Sequence, residues 1–327
     1  MNKQYISSII VARNAECSIE KSLMSLIRQN YPHDLYEIVF VDGQSEDRTL
    51  EIAENILAQS KLNYQIFINQ KKTLASGWNL AIKNAKGNFV VRIDAHVEAD
   101  QDFLKNSIHT LQKMPDVTCV GGKAITVVEG RNSEVISNVL SSPFGVGNST
   151  FRVSEKAQYA DTAACGLYRK EIFDTVGYFD ESLVRSQDTE LHSRIAAAGG
   201  RFYFNPKIKV KYYARNTYKE VIKQAYQNGK WNIAVWKKNK KSLMIRHLIP
   251  LFFVLSLILL LFLSFFYKIF YYLLICELST YLVCAFFASL KKCKKPTKVI
   301  KMVILFFSMH AAYGSGSIHS FINYRNI

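Results

Sequence analysis

Asn88-Phe89-Val90-Val91-Arg92-Ile93-Asp94-Ala95-His96-Val97-Glu98 is the stretch on which the reading of the fold turns. Phe89, Val90, Val91 and Ile93 make a short apolar run of β-branched and aromatic residues, as in a buried strand of a mainly parallel sheet. The run stops at Asp94, with His96 and Glu98 close behind. In open α/β sheets, ligands bind at the C-terminal edge of the strands. A carboxylate there, two residues from an imidazole, is placed to hold a divalent metal against a diphosphate. An Asp capping the next turn would look the same.

Working outward, strands and helices alternate. Ile6–Ala12 reads as a first buried strand, broken by Arg13-Asn14-Ala15. Ser18 caps an expected helix over 18–28 whose Ile19, Leu23, Leu26 and Ile27 share one face. A strand over 37–41 ends at Asp42-Gly43, and Gln44-Ser45-Glu46-Asp47 leads into a helix over 48–60, acidic in its first turn as the helix dipole favours. A strand over 64–68 and a helix over 78–85 follow, the helix closing on Lys86-Gly87 as a C-cap glycine signal. This is the pattern of a doubly wound α/β domain. Further on, the sequence predicts a helix over 102–113, strands over 119–121 and 163–168, and a helix over 170–176 ended by Gly177. A helix over 186–198 ended by Gly199-Gly200 and a last strand over 202–204 complete it. The glycine- and serine-rich stretch 141–149 reads as a mobile functional loop.

The chain has 327 residues, enough for one large domain or two small ones. Up to about Asn239 it resembles a soluble domain; from Leu248 apolar runs dominate. Three of them, 248–267, 270–290 and 302–322, have about the 20 residues a hydrocarbon core requires. The third holds His310, Gly314 and several serines, so it reads as a packed span or an interfacial helix. The formal charge is +16, but much of the excess lies in 237–246 and 291–301, beside the apolar runs. Such clusters anchor against anionic headgroups. Both fall on one side, which the positive-inside rule makes cytoplasmic. No secretory leader is visible, so the N-terminal part is expected in the cytoplasm. No nucleic-acid-binding signature appears, and nucleic acid is not expected as a partner. The six cysteines form no Cys-x-x-Cys pair and read as reduced thiols.

The order of motifs carries a resemblance. Val39-Phe40-Val41-Asp42-Gly43-Gln44-Ser45-Glu46-Asp47-Arg48-Thr49 resembles the Val-Asp-Gly-Gly-Ser-x-Asp-x-Thr signature of family 2 glycosyltransferases. Gly77-Trp78-Asn79, Ala85-Lys86-Gly87 and Ile93-Asp94-Ala95-His96 resemble the path to that family's Asp-x-Asp motif. Gly166 to Phe173 and Gly177 to Glu181 resemble the segment before the catalytic acid, and Gln187-Asp188-Thr189-Glu190-Leu191 the Glu-Asp-x-Glu-Leu block. The similarity covers about residues 6–215. Within the family, the stretch 142–152 and the three apolar segments make the chain similar to the succinoglycan-biosynthesis (ExoA-like) group.

The resemblance implies a GT-A fold, a UDP-sugar donor and Mn²⁺ or Mg²⁺. It assigns Ala12, Arg13 and Asn14 to the donor site, where the family often has Pro-x-x-Asn. Asp42 would bond the nucleobase, Gly77 and Asn79 would line the nucleoside, and Asp94 would hold metal and diphosphate. His96 stands where the second carboxylate is usual, as a metal ligand, a phosphate donor or a structural histidine. Asp188 would be the general base and Glu190 would orient the site, with Gln187 replacing the usual Glu. Gln227, Lys230 and Trp231 resemble a Gln-x-x-Arg-Trp motif that closes over diphosphate and acceptor, with Lys for Arg; the same residues suit an amphipathic helix at a membrane surface.

The expected organisation is a GT-A domain over 1–215, an interfacial linker over 216–247 and a membrane domain over 248–327. The expected protein is a multi-pass enzyme of the plasma (inner) membrane with its catalytic domain cytoplasmic. It would be an inverting transferase that adds a sugar, expected to be a hexose, to a polyprenyl-diphosphate-linked oligosaccharide for exopolysaccharide or capsule, beside other polysaccharide-assembly enzymes. A polyprenyl-phosphate glycosyltransferase, a polysaccharide synthase and a non-catalytic sugar-nucleotide-binding scaffold stand as rivals. A Rossmann oxidoreductase is excluded, because no Gly-x-Gly-x-x-Gly follows the first strand.

Overall fold

The structure is a computed structural model and describes residues 4–323; the outermost residues of the expected first and membrane domains, 1–3 and 324–327, lie outside it. In chain order the elements are β1 (Ile6–Ala12), α1 (Ile19–Ile27), β2 (Tyr36–Asp42), α2 (Thr49–Gln59), β3 (Asn63–Ile68), α3 (Leu74–Asn84), β4 (Phe89–Asp94), β5 (Val97–Ala99), α4 (Phe103–Lys113) and β6 (Cys119–Val127). Then come α5 (Ser133–Leu140), α6 (Pro143–Val146), α7 (Thr150–Val153), β7 (Gln158–Ala160), β8 (Leu167–Arg169), α8 (Ile172–Val176), α9 (Gln187–Ala197) and β9 (Phe202–Tyr213). The last four are α10 (Tyr218–Lys238), α11 (Ile245–Ser264), α12 (Lys268–Leu290) and α13 (Pro296–Ile322). They form two compact units, residues 1–125 with 154–213, and 126–153 with 214–327. The division differs from the expected domains: 126–153 leaves the first domain, and α10 joins the apolar helices instead of standing as a linker.

The first unit is built on a mixed sheet. Among the described residues its strand order is β3-β2-β1-β4-β8-β6-β9-β5, with β7 on β9. β3, β2, β1 and β4 are parallel, whereas β8 runs antiparallel to β4 and β6, and β5 and β7 antiparallel to β9. Only the first half is thus the expected doubly wound parallel sheet. Every residue of β1 and β2 is buried, as an inner parallel strand requires. Glu37 is buried with them. Its carboxylate accepts from Ser7 Oγ (2.6 Å), Lys86 N (2.7 Å) and Gln65 Nε2 (3.0 Å), so the buried charge is hydrogen-bonded.

Several local readings change. α3 begins at Leu74, earlier than expected, because the Thr73 side chain accepts from Ser76 N and starts the helix. Gly87 is no C-cap glycine, since α3 is closed by Ala85. A Cβ at Gly87 would stand 2.6 Å from Tyr5 O, so the glycine permits a close approach to the chain before β1. Ser18 does not cap α1; its hydroxyl donates to Ala15 O. β8 is shorter than the expected 163–168, because Cys165 sits at φ +47° and breaks the extended backbone. β9 is far longer than 202–204, with Ile208 and Val210 buried between exposed Lys207, Lys209 and Lys211.

In the second unit, the expected mobile loop 141–149 is packed structure. Val135, Ile136, Val139 and Leu140 of α5 share a core with Met302, Leu305, Phe306 and Met309 of α13. Ser142 is buried and accepts from Phe144 N at the start of α6 (3.3 Å). α10 packs on α13 through Val221, Ala225, Gly229 and Ile233, a row at helical spacing. A Cβ at Gly229 would meet Tyr313 O at 2.0 Å, and one at Gly316 would meet Tyr226 O at 2.1 Å, so the two backbones touch where both side chains are missing. α11, α12 and α13, of 20, 23 and 27 residues, are long and apolar enough to cross a membrane. Phe252, Leu259, Phe262 and Phe287 lie exposed on α11 and α12, as side chains facing lipid would.

Candidate active site

The parallel register sets the site. Ala12 pairs with Asp42 and Val11 with Asp94, so two carboxylates end the strands on either side of β1. With strands about 4.8 Å apart, their backbones lie about 10 Å from each other. The loops after β1 and β2 are tied together. Asn14, at φ +51°, accepts from Glu46 N (2.8 Å) and donates its own N–H to Ser45 Oγ (3.0 Å); Ala15 N donates to Thr49 Oγ1 (2.7 Å). Ala12 O receives Gly43 N (2.7 Å). Arg13 pairs with Glu46 at 3.5 Å, a solvent-exposed contact of little weight.

Asp42 is buried, and Ser45 occupies both of its oxygens, through N (2.9 Å) and Oγ (2.6 Å). Gly77 lies on β1, where a Cβ would be 2.5 Å from Val11 Cγ1; its absence lets α3 sit against the strand. The buried Asn79 amide clamps the chain after α8: Nδ2 donates to Phe179 O (2.9 Å) and Glu181 Oε1 (3.0 Å), and Oδ1 accepts from Phe179 N (2.9 Å). These bonds place the 177–181 loop against α3.

Asp94 faces Arg92, two residues earlier on the same face of β4, with Nε 3.8 Å from Oδ1. A second nitrogen of that guanidinium faces Asp188, with Nη2 3.8 Å from Oδ2. Arg92 is 6% exposed, lies 4.3 Å over the Trp78 ring, and its Nε and Nη1 have no hydrogen-bond partner among the described residues. Asp188 stands in the first turn of α9, its side chain 41% exposed, and accepts from Thr189 N (2.9 Å). Ser186 enters the helix at φ +57°, and Gln187 reaches back to Leu183 O (3.0 Å). Desolvation pushes the Asp188 carboxyl up, but Arg92 and then His192 outweigh it and hold it below the usual carboxylate range. Glu190 is buried and gripped by Arg194, Nε at 2.8 and 3.0 Å and Nη2 at 2.8 Å. Arg194 also donates to the carbonyls of Val176, Gly177 and Tyr178, so this pair sets α9 against the end of α8.

The sequence reading missed the polar layer beneath. His192, one turn after Asp188, bonds Thr162 Oγ1 through Nδ1 (2.7 Å) and Tyr168 OH through Nε2 (2.6 Å). Burial, with Arg92 adding, pulls its pKa down to about 4 against the attraction of Asp188 and Asp161, so it is neutral at pH 7. The signals were present: Arg92 is two residues from Asp94, and His192 four from Asp188. His96 turns its ring edge to Tyr212, centroids 4.9 Å apart. Among the described residues no group of three or more His, Cys, Asp or Glu is gathered for a metal. Gln227, Lys230 and Trp231 lie half-buried on α10, in the second unit.

The family model "Glycosyl transferase family 2" matches residues 7–177. A Methanococcus voltae protein named dolichyl N-acetyl-α-D-glucosaminyl phosphate 3-β-D-2,3-diacetamido-2,3-dideoxy-β-D-glucuronosyltransferase is 34% identical over 69% of this chain and 72% of its own. The succinoglycan biosynthesis protein ExoA of Rhizobium meliloti is 27% identical over 75% and 74%. Among solved structures, the mannosyltransferase PcManGT of Pyrobaculum calidifontis, in complex with GDP-Man and Mn²⁺, aligns at TM-score 0.61 and 16% identity over 97% of this chain and 86% of that one. S. aureus TarS 1–349 aligns at 0.55 and 20% over 98% and 91%. The structural likenesses establish the mixed α/β, GT-A-like fold. With the family model spanning more than half of the sequence and a relative one-third identical over most of it, the chain belongs to the family 2 glycosyltransferases, as a member related to ExoA with three C-terminal helices able to span a membrane.

Proposed function

We propose that this glycosyltransferase is an inverting enzyme that moves a hexose from a UDP-sugar to a sugar chain borne on a polyprenyl diphosphate, at the cytoplasmic face of the membrane. The observation that carries the reading is the pairing of Asp94, at a strand end suited to the donor, with Asp188, a carboxylate held ionised at a helix start. Asp188 takes the proton from the acceptor hydroxyl. The oxygen attacks the anomeric carbon from the face opposite the nucleoside diphosphate, whose bond to that carbon breaks. Glu190 acts by holding α9 in place.

Asp94 is the residue to hold a divalent ion. Its carboxylate is partly exposed and, among the described residues, held by one long ion pair, so it retains oxygen lone pairs. Asp94 would hold the ion with most of its positions left to substrate and water, as Mg²⁺ commonly keeps them, and His96 at the next turn would add a ligand suited to Mn²⁺. When bound, the ion neutralises the charge that grows on the leaving diphosphate. Asp42, Ala12, Arg13, Asn14 and Gly77 shape the wall for the nucleoside.

The lipid acceptor is supported by the three span-length helices and by the M. voltae relative, whose name puts its acceptor sugar on dolichyl phosphate. Three spans are few for a self-contained polymer channel, which favours single addition over a polysaccharide synthase. The basic residues before α11 and between α12 and α13 are two crossings apart, hence on one side, and positive-inside makes that side cytoplasmic. The test is radiolabelled transfer by purified protein onto extracted lipid-linked acceptors, with a set of nucleotide sugars. Label is expected in the lipid phase, from a UDP-sugar, and to vanish in excess EDTA. Label only in water-soluble product would remove the lipid acceptor, and full turnover in EDTA would remove the metal.

A further inference from the structure

We propose that Arg92 is a positioning residue of the transfer reaction: one buried guanidinium, laid on the Trp78 ring, holds the donor-side carboxylate Asp94 and the base Asp188 at a fixed separation. The inference rests on Asp188 being the base. β4 and α9 are far apart in sequence and are joined indirectly, through the His192–Tyr168 bond to β8, whereas Arg92 faces both acids directly. Nε lies 3.8 Å from Asp94 and Nη2 3.8 Å from Asp188, and both nitrogens belong to one rigid plane. The Trp78 face, 4.3 Å from the guanidinium carbon, limits rotation of that plane, and Trp78 is itself braced against Phe179 (centroids 4.8 Å).

The charge arithmetic agrees. Two carboxylates facing one cation leave one negative charge, and an incoming diphosphate adds more. The Nε and Nη1 hydrogens, unpartnered among the described residues in a side chain more than nine-tenths buried, are spare donors for the two acids as contacts tighten. A lysine keeps the charge without the rigid plane. A buried arginine can also serve merely as packing on an aromatic ring, and the test separates the two.

Arg92→Lys and Arg92→Met are made in the wild-type and in the Asp188→Asn chain, with thermal melting, nucleotide calorimetry and kcat and KM measured for each. In the wild-type background, Arg92→Met is expected to lower kcat on the order of 10²-fold and Arg92→Lys about tenfold, with donor affinity within about threefold. In the Asp188→Asn background, Arg92→Met should change the residual transfer by less than about twofold, because the two act as one unit. Wild-type kcat in Arg92→Met, or an equal loss in both backgrounds, overturns the inference about Arg92 and leaves Asp188 as base. Should Arg92→Met not fold, Arg92→Lys decides on the same criteria. If Asp188→Asn alone keeps more than about a tenth of the wild-type rate, the base assignment fails, and the inference falls with it.

Discussion

Asp42 and Asp94 end the two strands that flank β1, yet the protein treats them differently. Asp42 is 1% exposed, and a serine three residues on holds both its oxygens. The Asp94 side chain is 25% exposed and, among the described residues, meets one long contact from a guanidinium that it shares with Asp188. The first carboxylate is part of the shape of its turn. The second is poised, with its charge balanced and its lone pairs available. A strand-end acid therefore does chemistry or builds a loop according to what its neighbours leave free, and the position along the sheet does not decide it.

Substitutions at the two positions should pull this contrast apart. Asp94→Ala is expected to lower kcat/KM on the order of 10²–10³-fold and to flatten the response of the rate to added Mn²⁺, with thermal stability little changed. A loss confined to stability would make Asp94 another Asp42. His192 sharpens the comparison from the Asp188 side. Its folded-state pKa, about 4, lies below the ordinary 6.5, so the unfolded chain binds its proton first as pH falls. The stability due to neutral His192 is whole above pH 6.5 and lost between 6.5 and about 4, by about 3 kcal/mol. His192→Gln should flatten that slope in urea titrations taken across the window; an unchanged slope would assign it to other groups.

Asp42→Asn should cost about 1–3 kcal/mol, since an amide nitrogen cannot accept from Ser45. Its effect on rate should enter mainly through the KM for donor, as the turn loosens. A fall in kcat as large as that of Asp94→Ala would erase the distinction. Ser45→Ala, which leaves the backbone bond to Asp42, should cost only about 1 kcal/mol, read from the shift of the melting curve.

The parallel half of the sheet was legible because β1, β2 and β4 are mostly apolar, β-branched runs that stop at polar turns, as buried parallel strands do. The antiparallel half was not. β8 has three residues and β5 has three, too few for a pattern, and the left-handed Cys165 sits inside what reads as a strand. Segment 141–149 was misread as open for a different reason. Its glycines and serines suggest a loop, but the partners that Phe144 and Val146 pack against, Met302 to Met309, are more than 150 residues away. Of the site, the acids were visible as motif residues. Their environment was not, because the link between Asp94 and Asp188 runs through Arg92, which in sequence is only a charge inside an apolar strand.

The central claim is that Asp188 removes the acceptor proton while the donor is held elsewhere. Asp188→Asn tests it directly, because the amide keeps the shape and can still receive the Thr189 N–H through its oxygen but cannot take up a proton at neutral pH. Calorimetry with the nucleotide, beside a radiolabelled transfer assay, should find donor affinity nearly unchanged and the transfer rate down on the order of 10²–10⁴-fold. Transfer at more than about a tenth of the wild-type rate, with the donor still bound, would contradict the account and move the test to Glu190.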